Sequence, residues 1–248
     1  MKKQYVSKFA AILSVLVLVG FGVLSLNQGV SAAAEGSITG TVKLSGTAPH
    51  MRGIDMSKDP YCVKQHDTPV LLENVVVGSG GGLQNVVLYI SEGLTGNEAS
   101  AVPSDQPTFD QKGCQYIPHV LAMDVDQKFQ VTTSDQTTHN IHPLPNPMTG
   151  NIPWNNSQPP GAPPIIRSWK AAEMIPVKCN IHPWMHGYFA VVKGPYATSD
   201  KNGSYTIHGV PAGSYTVTAW QEDLGTQTSK VTVAGGKPAT ADFTFAAK

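Results

Sequence analysis

Downstream of residue 32 the chain alternates apolar and polar positions with a period of two. Tyr215, Val217 and Ala219 fall on one face of a strand, and Thr216, Thr218 and Trp220 on the other. Near the C-terminus Ala241, Phe243 and Phe245 alternate with Thr240, Asp242 and Thr244. Period two marks half-buried strands, and no long stretch of this region carries the 3.6-residue helical period. The pattern predicts strands over 37–44, near 69–77, and over 83–90, 129–133, 173–178 and 188–193. The run Gly78-Ser79-Gly80-Gly81-Gly82 predicts a tight turn. Short strands separated by Gly, Pro and Asn turns imply an all-β protein of sandwiches or barrels.

The first 32 residues are different. Lys2, Lys3 and Lys8 precede an uncharged apolar run from Phe9 to Leu26, and Val30-Ser31-Ala32 offers small residues to a signal peptidase. This predicts a secretory leader over 1–32 and a periplasmic or extracellular protein, held at the membrane only if the leader stays uncleaved. The whole chain balances 17 basic against 17 acidic residues; without the leader, 14 face 17, a net charge of −3. A chain without a basic face is not expected to bind nucleic acid. Three zones follow the leader: an N-terminal β segment over 33–102, a His- and Cys-bearing zone over 103–194, and a compact run of strands over 195–248.

Export gives the cysteine count a meaning. Cys62, Cys114 and Cys179 are an odd number, so one thiol is unpaired or has another use. Cys179-Asn180-Ile181-His182-Pro183-Trp184-Met185-His186-Gly187 sets a thiol, an imidazole and a thioether on a loop between two expected strands. Upstream lies His139-Asn140-Ile141-His142, again just after an expected strand. Two imidazoles, one thiolate and a weak thioether suit copper, whereas zinc prefers more thiolates or a carboxylate.

Cys179-x-x-His182-x-x-Met185, with Pro183, an aromatic at 184 and Gly187, resembles the ligand loop of amicyanin and related plastocyanin-like cupredoxins. His139-Asn140 resembles that family's upstream His-Asn pair. The resemblance covers about residues 113–193 and implies a Greek-key β-sandwich. It implies one copper per chain held by His139, Cys179, His182 and Met185, with Asn140 tying the two ligand loops together beside the thiolate. His186 competes with Met185 for the axial role, and the family spacing favours Met185. The family also implies that His182 reaches the surface as the electron exit. A redox protein partner would then dock near His182 and Trp184, on an apolar rim completed by Pro143, Leu144, Pro145 and Pro183. The alternative for 143–164 is a lid over that rim, with Trp154 packed on it. Cys62 and Cys114 lie outside the motif and fit a disulfide that leaves Cys179 free, although sequence does not fix the pairing. His119 is expected to be structural.

The last zone carries an Asn202-Gly203 hairpin turn followed by Gly209-Val210-Pro211-Ala212-Gly213-Ser214-Tyr215. It resembles the carboxypeptidase regulatory-like domain, a small transthyretin-like β-sandwich, and 36–46 and 85–90 resemble strands of the same domain. The copper zone would then be inserted into a sandwich built from 36–95 and 195–248. The expected function is single-electron transfer by an exported mononuclear copper protein that is not an enzyme. The alternatives are a copper carrier or sensor, or a structural surface module with a non-redox metal site. A copper oxidase would need a second copper with its own histidines, and no second motif stands out in the sequence.

Overall fold

Strands from both ends of the chain meet in one sandwich. In this computed structural model, which describes Met1 and residues 35–95 and 102–248, Gly36–Ser45 pairs with Ser204–Val210, Pro238–Thr240 and Phe243–Ala246. The facing sheet runs Tyr196–Thr198, Val87–Glu92, Gly213–Gln221, Gly225–Val233. The alternating positions face each other across the gap: Ile38, Val42, Leu88, Ile90, Ile207, Val217, Phe243 and Phe245 are buried together. Each such side chain contributes roughly 1.5–3 kcal/mol by leaving water. At the Asn202-Gly203 turn, Gly203 has φ 77°, and a Cβ there would lie 2.2 Å from the Val42 carbonyl oxygen, so only glycine fits. The leader expected over 1–32 lies outside the described residues apart from Met1. Among the described residues, no helix is long and apolar enough to cross a membrane.

Between Glu92 and Tyr196 the chain builds a second sandwich. Its larger sheet has the order Val120–Asp124, His186–Val192, Glu173–Lys178, His139–Pro143, Asn156–Gln158. Its smaller sheet has the order Gln115–Ile117, Thr108–Lys112, Phe129–Thr133, Ile165–Arg167. Each sheet contains one parallel pair, Val120–Asp124 with His186–Val192 and Thr108–Lys112 with Phe129–Thr133. Aromatic rings fill the space between the sheets. Phe189 sits 4.8 Å from both Phe109 and Phe129, centroid to centroid, a spacing at which aromatic pairs attract beyond their area burial.

The two sandwiches share a third buried cluster of Val87, Val120, Ala122, Ala190 and Val192. This contact corrects the alternation at Gly213–Gln221. Thr218, on the polar face, is buried because that face is covered: its hydroxyl donates to Ser91 Oγ at 2.7 Å, and Trp220 packs edge-on against Tyr188.

Residues 46–86 depart from the expected pattern. No strand forms over 69–77; isolated bridges link Gly53 with Leu71 and Val77 with Leu83. Pro69 has no N–H to give a ladder, and Glu73 and Asn74 break the apolar alternation. A short helix, Pro60–Lys64, stands here instead. Its start has a physical cause: Pro60 supplies a preset φ, and Asp59 caps it by accepting the Tyr61 N–H at 2.8 Å. A disulfide from Cys62 to Cys114 ties this helix to the turn before Gln115–Ile117.

Candidate metal centre

Strand pairing brings the two histidine- and cysteine-bearing loops together. Glu173–Lys178 runs antiparallel to His139–Pro143, with Lys178 opposite His142. Continuing that register sets Asn140 beside Asn180, and the Asn180 N–H donates to Asn140 Oδ1 at 2.6 Å. Residues 179–185 form a closed loop. The Cys179 N–H donates to the Met185 carbonyl at 3.1 Å, and the Met185 N–H donates to the His182 carbonyl at 2.9 Å. Asn140 therefore joins the loops through the backbone next to Cys179.

Three donors converge there. His139 Nδ1 and His182 Nδ1 are 2.9 Å apart, and Cys179 Sγ is 4.0 Å from His182 Nδ1. All three lie within 4.8 Å of one another, and all three residues are buried. Met185 is buried in the same apolar cluster as Cys179. His186 lies outside the trio and belongs to a different cluster, with His119 and Glu222.

The outer nitrogens of both imidazoles are held by carboxylates. His139 Nε2 meets Asp135 Oδ2 at 2.8 Å, and His182 Nε2 meets Asp59 Oδ2 at 2.9 Å. With Nε2–H donated outward on each ring, both Nδ1 atoms carry lone pairs that point at each other. Lone pairs do not hold at this distance without a proton or a cation between them. The donors fit a soft-to-borderline metal ion, and carboxylates behind ligating imidazoles are the usual means of fixing their tautomer.

Each carboxylate is itself anchored. Asp135 accepts the N–H groups of Gly113 and Cys114 at 2.7 and 2.8 Å. Those two residues make a left-handed turn, with φ 61° at Gly113 and φ 56° at Cys114. A non-glycine residue in that region is strained, and here it lies beside the site. Asp59 also takes the Thr137 hydroxyl at 3.1 Å. Burial alone would raise both carboxyl groups; hydrogen bonds from His139 to Asp135 and from His182 to Asp59, with backbone N–H groups, hold them below the usual carboxylate range.

The thiol is tuned in the same way. Burial alone would push Cys179 up, but His139 and the N–H groups of residues 182, 140 and 181 outweigh it and hold the thiol low. The His182 N–H reaches Cys179 Sγ at 3.3 Å. Burial alone would lower the His139 imidazole; Asp135 and Cys179 outweigh that and raise it. A lowered thiol favours the deprotonated sulfur that a metal ion needs. The Tyr116 hydroxyl donates to the Asn140 carbonyl at 2.6 Å and steadies the loop from below.

Two expectations about the rim fail. His182 is 3% exposed because the turn at Asp59, tethered by the Cys62–Cys114 bond, covers its outer nitrogen. Pro143 and Pro145 are buried, leaving Leu144, Ile181 and Pro183 exposed. The Trp154 ring stacks near Trp169, with Arg167 over its face. Asp59 was missed because nothing local marks it. Asp135 lies four residues before His139 in a non-helical turn, where that spacing carries no pattern either.

The chain is similar to a copper-containing nitrite reductase from Thermus scotoductus SA-01 at 17% identity and TM-score 0.33, covering 41% of this chain and only 25% of that one. It is similar to a purple cupredoxin from Nitrosopumilus maritimus at 16% identity and TM-score 0.30, covering 35% of this chain and 100% of that one. It is similar to amicyanin from Paracoccus versutus at 13% identity and TM-score 0.32, covering 42% of this chain and 97% of that one. No curated protein matches the chain. Residues 191–246 match the family model of the carboxypeptidase regulatory-like domain, and the fold adds Gly36–Ser45 and Val87–Glu92 to the strands so matched.

Proposed function

We propose that this protein is an exported electron carrier whose cofactor is one copper ion held by His139, Cys179, His182 and Met185. The observation that carries the reading is the convergence of two imidazole Nδ1 atoms and a buried sulfur within 4.8 Å. When bound, copper would supply a one-electron redox couple. The chain's own residues do the rest. Asp135 and Asp59 fix both rings, so the donors have little freedom to rearrange when the charge changes. Asn140 and the loop hydrogen bonds hold Cys179 against the His139 strand. Burial of His139, Cys179, His182 and Met185 shields the donors from water, which supports electron transfer. The Cys62–Cys114 bond suits an oxidising compartment outside the cytoplasm.

Because Asp59 covers His182, the path outward runs through the Asp59 turn or past the exposed Ile181 and Pro183. A redox partner would dock on that face, where Ile181 is 48% exposed. Voltammetry of the copper-loaded chain tests the reading. A reversible one-electron wave, with copper retained over repeated cycles, is expected. Release of copper on reduction would overturn it in favour of a carrier.

A further inference from the structure

Away from the copper donors, three titratable side chains from distant parts of the chain meet where the two sandwiches touch. His119 lies between Gln115–Ile117 and Val120–Asp124, His186 opens His186–Val192, and Glu222 follows Gly213–Gln221 of the flanking sandwich. One ligating atom from each falls within 4.8 Å of the others. His119 Nε2 is bonded to Glu222 Oε1, and the two histidine rings meet edge to face at 5.1 Å between centroids.

The hydrogen bonds of His186 leave one ring nitrogen placed as a ligand would be. His186 Nδ1 faces the Trp184 carbonyl at 3.3 Å, which takes the ring's proton to that side. His186 Nε2, buried, has no hydrogen-bond partner among the described residues. An imidazole lone pair sealed from water without a donor is costly, and a cation would satisfy it. The far nitrogen of His119 faces the Glu73 carboxylate at 3.8 Å. His186 thus has a hydrogen-bonded oxygen behind it, the arrangement that orients metal-bound histidine, while the Glu73 carboxylate stands within ion-pair reach of His119. The Glu222 side chain is only 3% exposed, and its second oxygen has just a 3.4 Å contact from the Asn74 amide. A buried carboxylate with so few donors around it is a natural partner for a cation.

The cluster is also built rigidly. The Tyr188 N–H donates to the His119 carbonyl at 2.9 Å, which locks the two histidine backbones side by side. Gly187 permits this approach, since a Cβ there would sit 2.6 Å from that carbonyl. Gln221, buried, accepts the N–H groups of Asp223 and Leu224 at 2.9 and 2.8 Å and so shapes the turn that presents Glu222. A cavity of about 10 Å³, bounded by Glu73, His119, Trp184, Met185 and His186, adjoins the cluster. That is about the space of one water molecule, enough for a fourth ligand.

We infer that His119, His186 and Glu222 form a second metal site, for a borderline divalent ion such as Zn(II), that clamps the two sandwiches together. Two nitrogens and one carboxylate with a fourth position left over are a zinc-type donor set, chemically unlike the thiolate site. The flanking sandwich thereby contributes a ligand beside the loop that carries Met185. The inference stands on different residues from the copper reading and does not depend on it.

The test is a Co(II) titration of the copper-loaded chain, with cobalt as the optical probe for a zinc-type site. One further equivalent should bind, giving weak ligand-field bands and no new sulfur-to-cobalt band. Glu222→Gln and His186→Gln should each weaken this binding at least about tenfold while the copper absorption stays unchanged. If copper does not load, the same titration of the metal-free chain separates the two readings. Cobalt on Cys179 produces an intense sulfur-to-cobalt band, and cobalt on the cluster does not. Thermal melting guards against misfolded variants: excess Co(II) should raise the wild-type midpoint and leave that of Glu222→Gln unmoved. Absence of the extra equivalent in the wild type, or wild-type affinity in both variants, overturns the inference.

Discussion

Asp59→Asn isolates what the covering turn does to the copper centre. Asp59 Oδ2 is 2.9 Å from His182 Nε2, so the carboxylate is one imidazole ring away from the donor set. Across that ring the charge acts at about 7 Å, and with an effective dielectric constant of about 20 it is worth about 2.4 kcal/mol. An anion stabilises Cu(II) over Cu(I), so removing it should raise the reduction potential by about 100 mV at one electron per copper. Asp59 takes the Tyr61 N–H on Oδ1 and faces His182 Nε2 with Oδ2, whereas asparagine has a single acceptor oxygen, so the variant removes the charge and one of these two hydrogen bonds together. The assay is spectroelectrochemical titration of wild type and variant, with the thiolate-to-copper band as the readout. A rise of that order with the band retained supports the placement of Asp59. An unchanged potential would refute the argument that this carboxylate bears on the metal.

Three further outcomes are expected. Replacing Cys62 and Cys114 together by serine opens a loop of 52 residues and should cost about 4 kcal/mol, read from urea midpoints, on the loop-entropy scale. Met185→Leu keeps the core volume and should leave copper bound while raising the potential; an unchanged potential would make Met185 a packing residue only. Burial, with Asp105 and Asp124 nearby, pushes the Tyr196 phenol up from 10.0 to about 12. Its contribution to stability is thus present below about pH 10 and lost as pH rises toward about 12, so Tyr196→Phe should flatten the alkaline fall in denaturation midpoint across that window.

The parts of this protein that were legible in its sequence are those where one segment carries its own pattern. Phe243 and Phe245 alternate with Thr244 because one face of their strand meets the core, and they are buried as that alternation predicts. The donors on 179–185 are readable because one short loop holds Cys179, His182 and Met185 at fixed spacing. The features that escaped are made by distance. Asp59 reaches His182 across 123 positions, on a helix too short to show periodicity. His119, His186 and Glu222 share no motif, since three unrelated segments contribute one residue each and only the packing of two sandwiches unites them. Thr218 reads as solvent-facing because alternation describes one sheet and knows nothing of a second sandwich laid on its outer face. The expected exposure of His182 failed for the same reason: the covering turn comes from a region whose role is set by a disulfide partner 52 positions away.

The central claim is that Cys179 binds copper together with two imidazoles. It is tested most directly by titrating Cu(II) into the metal-free chain, residues 33–248, while recording visible absorption and EPR, with Cys179→Ser in parallel. An intense thiolate-to-copper band that saturates at one copper per chain and is absent from Cys179→Ser is the predicted result. A colourless complex, or only the weak bands of nitrogen and oxygen ligands in both proteins, would contradict it.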